Sequence, residues 1–463
     1  MNAIKTLPLA GWLSHDRPDS LPVAWQDGVT LTLGDMRRDV SRCRHRLYQQ
    51  SAERYALCFD NSYRFAVALL AVLYNGKLPV IPGHCRENLL REQACFFDAV
   101  ISDMALDPGC PVVGPSADDS RHPLPLQALA GDTSLMMFTS GSTGQPKPVI
   151  KTLKAMDTEA GWIADIIGMQ YLRHPSYRIV SSVSHQHLYG LTFRLYLPLS
   201  LGIPFVTDQI HFPEELSRQG SDAVNLIISS PAFLRRLDYT LPAPGCAAVF
   251  SAGGPLCPDV AQRAGQWLGQ EVTEIYGSSE TGVIGWRRRR RQEQYWHLFH
   301  GVRLKTDAPA CPQMADTARI IATSALINDP MGYLLDDHIK LNADGNRFEL
   351  SGRRDLTVKI EEKRISLNAI EKRLCMLPEI TAAAVLPLER NGRQRLAAVI
   401  VLTTEGTTAL ATIPRPERVR QWRKALTGWI DPVAIPRYWR TVSQLPLTSQ
   451  GKTDRRALME LFG

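Results

Sequence analysis

A chain of 463 residues, 44% of them hydrophobic, is long enough for one large core and a second, smaller one. Its formal net charge is +7, and much of the excess sits in one arginine run. Nine cysteines without a CxxC pair argue against a disulfide framework or a zinc site. No stretch reaches the ~20 apolar residues of a membrane span, so a soluble, cytoplasmic protein is expected.

The first 130 residues alternate strand and helix signals. Residues 21–25 and 29–33 read as short strands around the Asp27-Gly28 turn. A basic helix is predicted over 37–50, a strand over 55–59, and a helix over 65–74 opened by Asn61-Ser62 and closed by Asn75-Gly76. A strand over 78–81 and a turn at Pro82-Gly83 follow. This rhythm predicts an α/β fold with a largely parallel sheet covered by helices.

The apolar run 135–138 reads as a buried strand. It feeds Thr139-Ser140-Gly141-Ser142-Thr143-Gly144-Gln145-Pro146-Lys147. Glycines let successive backbone N–H groups face one point, hydroxyls add donors, and a lysine stands beside them. Such a nest suits phosphate oxygens. The plain alternative is a flexible Ser/Gly loop. The Walker spacing is absent.

The stretch resembles the phosphate loop of the adenylate-forming superfamily, which comprises acyl- and aryl-CoA synthetases, peptide-synthetase adenylation domains and luciferases. Its pattern there, T-S-G-S-T-G-x-P-K, is complete here. The resemblance implies ATP and Mg²⁺ as cofactors, a small carboxylic acid as substrate, and coenzyme A or phosphopantetheine as acceptor. It also implies a large N-terminal domain of β-sheets flanked by helices, and a small mobile α+β C-terminal domain.

After a helix over 153–167, a strand over 177–183 runs into Ser184-His185-Gln186-His187-Leu188-Tyr189-Gly190. A buried, satisfied histidine is the usual reading of such a stretch. The stretch is also similar to the H-x-Y-[GA] element of coumarate-type ligases. That likeness implies that His187 closes the carboxylate end of the site, that Tyr189 lines the acyl pocket, and that Gly190 starts a helix to 196. Strands over 225–229 and 247–250 end in loops, and ligands in open α/β sheets gather at such carboxyl ends. Ala252, Gly253 and Gly254 would let a flat ring approach, or would merely turn the chain before a helix over 259–268.

A strand over 271–275 leads into Tyr276-Gly277-Ser278-Ser279-Glu280-Thr281-Gly282. A carboxylate in a small-residue turn can hold Mg²⁺, and an aromatic ring before a glycine can stack on a purine. The superfamily's Y-G-x-[ST]-E implies Tyr276 and Gly277 on adenine, Ser279 on the α-phosphate, Glu280 on Mg²⁺ and Ser278 beside the acid. Five arginines follow at 287–291. They read as a solvated arm, or as a docking patch for an acidic acyl carrier protein or coenzyme A phosphates. No nucleic-acid motif accompanies them, so no nucleic-acid partner is expected. A compact β-subdomain is expected over 296–324.

Tyr333-Leu334-Leu335-Asp336-Asp337 departs from the superfamily's Y-x-T-G-D. Counting from Tyr333 puts Asp337 on the ribose, with Asp336 competing. A hairpin turn is expected at Asp344-Gly345, and Gly352-Arg353 falls one residue later than usual. In the G-R-x-D motif, Arg353 would contact ribose. Asp355 would be the hinge between a large AMP-binding domain, 1–352, and a small domain, 353–463. Arg364 keeps the position that reaches the nucleotide phosphate, while Glu362 replaces the glycine beside the pantetheine route. A helix over 368–374, strands over 382–386 and 396–402, and a basic helix over 415–429 complete the small domain. The closing L-P-x-T-x-x-G-K-x-D-R is complete and implies that Lys452 is the catalytic lysine.

The expected reaction is ATP-dependent activation of a carboxylic acid and transfer to a thiol. The aromatic pocket favours an aryl acid such as a hydroxybenzoate or cinnamate. A medium-chain fatty acid is the alternative, and the altered Leu335, Asp336 and Glu362 leave a non-catalytic binding protein open.

Overall fold

The computed structural model describes residues 6–13, 16–114, 129–140, 146–168, 177–219, 223–289, 295–307, 319–342, 344–353, 357–360, 363–390, 393–427, 430, 432–448 and 453–463. The chain divides into two compact units. One comprises Met1–Arg303 and Ala322–Tyr333, the other Leu304–Ile321 and Leu334–Gly463. The boundary expected at 352/353 falls inside the second unit. No helix among the described residues is long and apolar enough to cross a membrane.

The first unit begins with a hairpin of β1 (Pro22–Gln26) and β2 (Val29–Thr32), turned where Asp27 and Gly28 adopt φ 49° and 81°. The helix Leu33–Tyr48 starts four residues before the expected 37. Thr32 and Asp35 form a capping box: each side chain accepts from the other's backbone N–H, at 3.2 and 2.8 Å. The smaller sheet contains β3 (Arg54–Cys58), β4 (Leu78–Ile81), β5 (Ala99–Ser102), β6 (Val112–Val113), β7 (Ser134–Ser140) and β8 (Pro146–Thr152), in the order β6-β5-β3-β4-β7-β8. Tyr55, Ala56, Leu57 and Cys58 are all fully buried, as expected of a strand covered on both faces. The helix Ser62–Leu73 covers it, capped by Asn61, whose side chain accepts from the N–H groups of Tyr63 and Arg64.

The larger sheet takes β9 (Tyr177–Ser181), β10 (Phe205–Val206), β11 (Val224–Ser229), β12 (Cys246–Ser251), β13 (Val272–Ser278), β14 (Gly282–Arg288) and β15 (Trp296–Leu298). In the first unit its order is β15-β14-β13-β12-β11-β9-β10-β1-β2. The opening hairpin therefore leaves the smaller sheet, contrary to the single-sheet expectation. Parallel pairing of Ala24 with Phe205 claims it instead. Strands β9, β11, β12 and β13 are parallel, so their carboxyl ends share one edge.

In the second unit, β16 (Arg303–Asp307), β17 (Arg319–Thr323) and β18 (Tyr333–Leu335) form a small sheet. Two hairpins follow, β19 (Asp337–Leu341) with β20 (Arg347–Arg353), and β21 (Thr357–Ile360) with β22 (Lys363–Ser366). The first turns at Gly345, φ 70°, where Asp344 Oδ1 accepts from Asn346 N–H. The lobe closes with the helix Leu367–Leu374, the sheet β23 (Ile380–Arg390), β24 (Arg393–Leu402) and β25 (Tyr438–Thr441), and the helix Arg415–Leu426. Its core gathers Leu374, Val385, Ile400, Trp422 and Trp439. Arg418 of that last helix points inward, 8% exposed, with Nη1 2.9 Å from the Glu379 carboxylate. Its charge is therefore not on the surface of this basic helix.

Candidate functional site

The loop after β9 joins the carboxyl ends of the two sheets in the first unit. His185 is fully buried, and its ring centroid lies 4.4 Å from that of Phe65, tilted by 44°. Its Nε2 is 2.9 Å from the Phe59 carbonyl, so Nε2 carries the proton and Nδ1 accepts from the Ser62 hydroxyl at 3.2 Å. Burial holds its pKa well below the ordinary value, so it stays neutral. Gln186 donates to the Leu57 carbonyl at 2.9 Å. The satisfied histidine of this stretch is therefore His185.

His187 is half-buried and occupies the N-cap of the helix that begins at Leu188, two residues before the expected Gly190. Its ring lies against Gly83, where a Cβ would stand 3.6 Å from Cε1. Gly83 follows β4 in the smaller sheet, so the ring marks where the two strand edges meet. Gly190 is fixed by packing, because a Cβ there would lie 2.0 Å from the Ser184 carbonyl oxygen. The helix then widens into a π-helical turn, Leu191–Tyr196. This turn holds Arg194, 1% exposed, donating to the carbonyls of Val183 and Thr207. The Tyr189 and Phe193 rings lie 4.8 Å apart and those of Phe193 and Phe250 5.5 Å apart, tilted by 55° and 53°, a run of ring contacts beside β12. Ala252 is buried, while Gly253, at φ 90°, and Gly254 are exposed.

The two ends of the phosphate-loop motif lie on paired antiparallel strands. Thr139 of β7 pairs with Lys147 of β8, and Ser140 with Pro146; the Lys147 side chain is exposed. The returning strand β8 was not foreseen. It carries Lys151, which is 3% exposed and donates to the backbone carbonyls of Glu280, at 3.1 Å, and Leu326, at 3.2 Å. One buried ammonium thus ties the phosphate-loop strands to the Glu280 turn.

That turn is narrow for steric reasons. A Cβ on Gly277 would lie 2.2 Å from the Gly282 carbonyl oxygen. Gly282 adopts φ 68°, and a Cβ there would lie 2.8 Å from Glu159 Oε1. Ser278, expected beside the acid, is engaged within the turn: its hydroxyl accepts from Thr281 N–H at 3.3 Å. Ser279 and Glu280 are half-buried at its tip. Glu159 braces it from below, 3% exposed, accepting from Val283 N–H and the Thr192 hydroxyl, both at 2.8 Å. Burial pushes the Glu159 carboxyl up and the Lys151 ammonium down, each opposed by the other's charge. Glu159 did leave a sequence signal, a carboxylate among Met156, Ala160 and Ile163 on the apolar face of one helix.

Residues 93–305 match the family model described as AMP-binding enzyme. The chain is 27% identical to a 4-coumarate–CoA ligase of Rhodobacter capsulatus, over 71% of this chain and 77% of the relative. It is 25% identical to N-benzoylphenylalaninol synthetase apmA of Penicillium brevicompactum, over 89% of this chain and 20% of the relative. The fold matches ATP-bound MatB from Rhodopseudomonas palustris with a TM-score of 0.80, at 18% identity over 99% of both chains. The chain thus resembles AMP-binding enzymes in sequence over residues 93–305, and acid–CoA ligases in fold.

Asp336 and Asp337, the two residues expected to compete for the ribose, lie in the second unit. Asp337 of β19 stands opposite Arg353 of β20. The ladder shifts between His338–Gly352 and Ile339–Leu350, so Ser351 is an extra, bulged residue. The bulge absorbs the one-residue delay of Gly352-Arg353 and leaves Asp337, half-buried, facing Arg353. Asp336 is exposed and lies outside that ladder. In β22, Arg364 pairs with Lys359. Gly141, Ser142, Thr143, Gly144, Asp355, Glu362 and Lys452 lie outside the described residues.

Two of the five arginines in the run are engaged by a buried carboxylate. Arg287 makes two hydrogen bonds, at 2.7 and 3.1 Å, to Glu274, a carboxylate only 2% exposed, and Arg289 lies 3.5 Å from the same group. These two side chains are neither a solvated arm nor a free docking patch, because a buried carboxylate claims them. Arg288 is exposed, and Arg290 and Arg291 lie outside the described residues.

Among the described residues no cluster of three or more His, Cys, Asp or Glu is present. Glu280, half-buried at the tip of its turn, is a single carboxylate of the kind Mg²⁺ takes together with substrate phosphates.

Proposed function

We propose that the chain joins ATP to a carboxylic acid, releases pyrophosphate, and passes the acyl group from AMP to a thiol. The observation that carries this reading is Lys151, whose ammonium draws the phosphate-loop strands and the Glu280 turn together. A carboxylate oxygen attacks the α-phosphorus, and the bond to the bridging β-oxygen breaks. The acid is then joined to AMP as a mixed anhydride, and AMP is a far better leaving group than oxide.

Charge builds on phosphate oxygens in this step, so positioning and electrostatics supply the catalysis. Residues 139–147 surround the β- and γ-phosphates. Mg²⁺, when held by Glu280, neutralises part of their charge. Tyr276 stacks on adenine, Ser279 contacts the α-phosphate, and Asp337 with Arg353 takes the ribose. Lys452 bridges the acid and the α-phosphate, and Arg364 reaches the phosphate. His187 closes the carboxylate end of the pocket. For the second step the domain beyond 352 turns about Asp355, withdraws Lys452 and admits the thiol past Glu362. The thiol attacks the carbonyl carbon, and AMP leaves.

The contacting rings of Tyr189, Phe193 and Phe250, with small residues at 252–254, favour a flat aryl acid such as a hydroxybenzoate or cinnamate. The 4-coumarate–CoA ligase among the relatives supports the same substrate class. The acceptor is coenzyme A or the pantetheine of an acyl carrier protein. With Arg287 and Arg418 turned inward, the charge argument for an acidic carrier rests on fewer residues.

Acid-dependent ATP–pyrophosphate exchange over a panel of aryl and fatty acids tests the proposal. Exchange with aryl acids is expected. ATP binding without exchange for any acid overturns it in favour of a nucleotide-binding homologue.

A further inference from the structure

Strands β13, β14 and β15 bring four side chains into one stack. Glu274 faces Arg287 across the β13–β14 ladder, and Tyr276 faces Gly285. Across β14–β15, Gly285 faces Leu298 and Trp286 faces His297. The next pair outward sets Arg287 beside Trp296. Glu274, Arg287 and Trp296 therefore form a transverse row, and the row beside it contains Tyr276 and Gly285. Opposite residues in a sheet share a face, and alternate residues of one strand do too.

Each contact in this stack is specific. The Arg287 guanidinium lies 4.2 Å from the centroid of Trp296, within cation–π range. Its position is fixed by the two hydrogen bonds to buried Glu274. The Tyr276 and Trp296 rings are 5.8 Å apart and inclined by 59°, an attractive geometry for aromatic pairs. Gly285 brings no side chain to the place opposite Tyr276, so the ring can lean across to Trp296.

We propose that Trp296, held by Arg287 and Glu274, is a positioning residue that presets the Tyr276 ring for the purine of ATP. This rests on the reading of Tyr276 as the adenine-stacking residue. An unsupported ring loses rotamer freedom when a base stacks on it, whereas a preset ring has lost it already. The row thereby raises affinity for the base without touching the nucleotide. It also gives the first arginine of the run a role inside the site.

The test is calorimetric titration of ATP and of inorganic tripolyphosphate, which has no base, into Trp296→Leu, Trp296→Phe and Tyr276→Ala. A Glu274→Leu/Arg287→Leu double variant removes the support together with its buried carboxylate; Arg289 loses its ion pair with Glu274 but keeps its hydrogen bond to the Leu256 carbonyl. Trp296→Leu and the double variant are expected to weaken ATP about five- to tenfold, the worth of one aromatic contact. Tripolyphosphate should bind all variants alike, and Trp296→Phe should recover most of the loss. If Tyr276→Ala weakens ATP and Trp296→Leu does not, the support is overturned while the adenine assignment stands. If Tyr276→Ala leaves ATP unchanged, the assignment itself fails, and the proposal with it. Equal loss of tripolyphosphate reveals a merely structural role and also overturns the proposal.

Discussion

Replacing Lys151 by methionine keeps the length of the side chain and removes its charge. Two hydrogen bonds from an ammonium to carbonyl oxygens are lost, at 3.1 and 3.2 Å, together with the charge that offsets Glu159. Hydrogen bonds to charged groups contribute ~1.5–3 kcal/mol each. Removing one charge from a buried ionic arrangement costs about 3–5 kcal/mol. The terms overlap, and relief of the buried ammonium's own desolvation offsets part of them. A net loss of about 3 kcal/mol is expected, read as a lowered denaturant midpoint at unchanged slope.

The Glu280 turn should loosen at the same time, so more Mg²⁺ should be needed for half-maximal pyrophosphate exchange. The pH dependence has a definite sign. Burial already raises Glu159, and removing Lys151 raises it further. A carboxyl raised in the folded state contributes stability at low pH that is lost as pH rises through the folded value. Lys151→Met should therefore be more destabilised at pH 8 than at pH 5, and adding Glu159→Gln should recover about half of the loss. A cost under ~1 kcal/mol, with the Mg²⁺ requirement unchanged, would refute the bracing role of Lys151.

His185 and His84 are both depressed by burial, His84 to about 4. Such groups contribute stability above the unfolded value of ~6.5 that is lost as pH falls toward the folded one. The thermal midpoint should drop from pH 7 to pH 5, and His185→Gln should flatten that limb. Gly190→Ala should prevent folding or cost more than ~3 kcal/mol, because its Cβ would lie 2.0 Å from the Ser184 oxygen. Helix propensity alone predicts the opposite sign, a gain of ~1 kcal/mol, so a denaturation curve decides. Lys452→Ala should lose pyrophosphate exchange yet still convert a preformed acyl adenylate to thioester; equal loss of both half-reactions would remove its proposed role.

The sequence determined those features whose cause is local. Asn61 caps its helix because an Asn side chain can satisfy the first free N–H groups. Asp344-Gly345 turns its hairpin because glycine accepts φ 70° at no steric cost. The apolar runs of β3, β11 and β12 read as buried strands because a parallel sheet is covered on both faces. The phosphate loop, the Tyr276 element and the closing lysine motif were legible as patterns, and the resemblance to adenylate-forming enzymes followed from them.

Tertiary structure decided what depends on partners distant in the chain. Whether β1 and β2 join one sheet or the other is set by pairing with Phe205, some 180 residues away, and nothing in their own composition distinguishes the two. The arginine run looked solvated because a charged stretch usually is, but Glu274 lies across a strand ladder and withdraws two of its members from water. The bulge at Ser351 turns an apparent misalignment into the pairing of Asp337 with Arg353. Lys151 is one lysine among many in the sequence. Only the fold buries it beneath the Glu280 turn, where a single charge must satisfy two carbonyls.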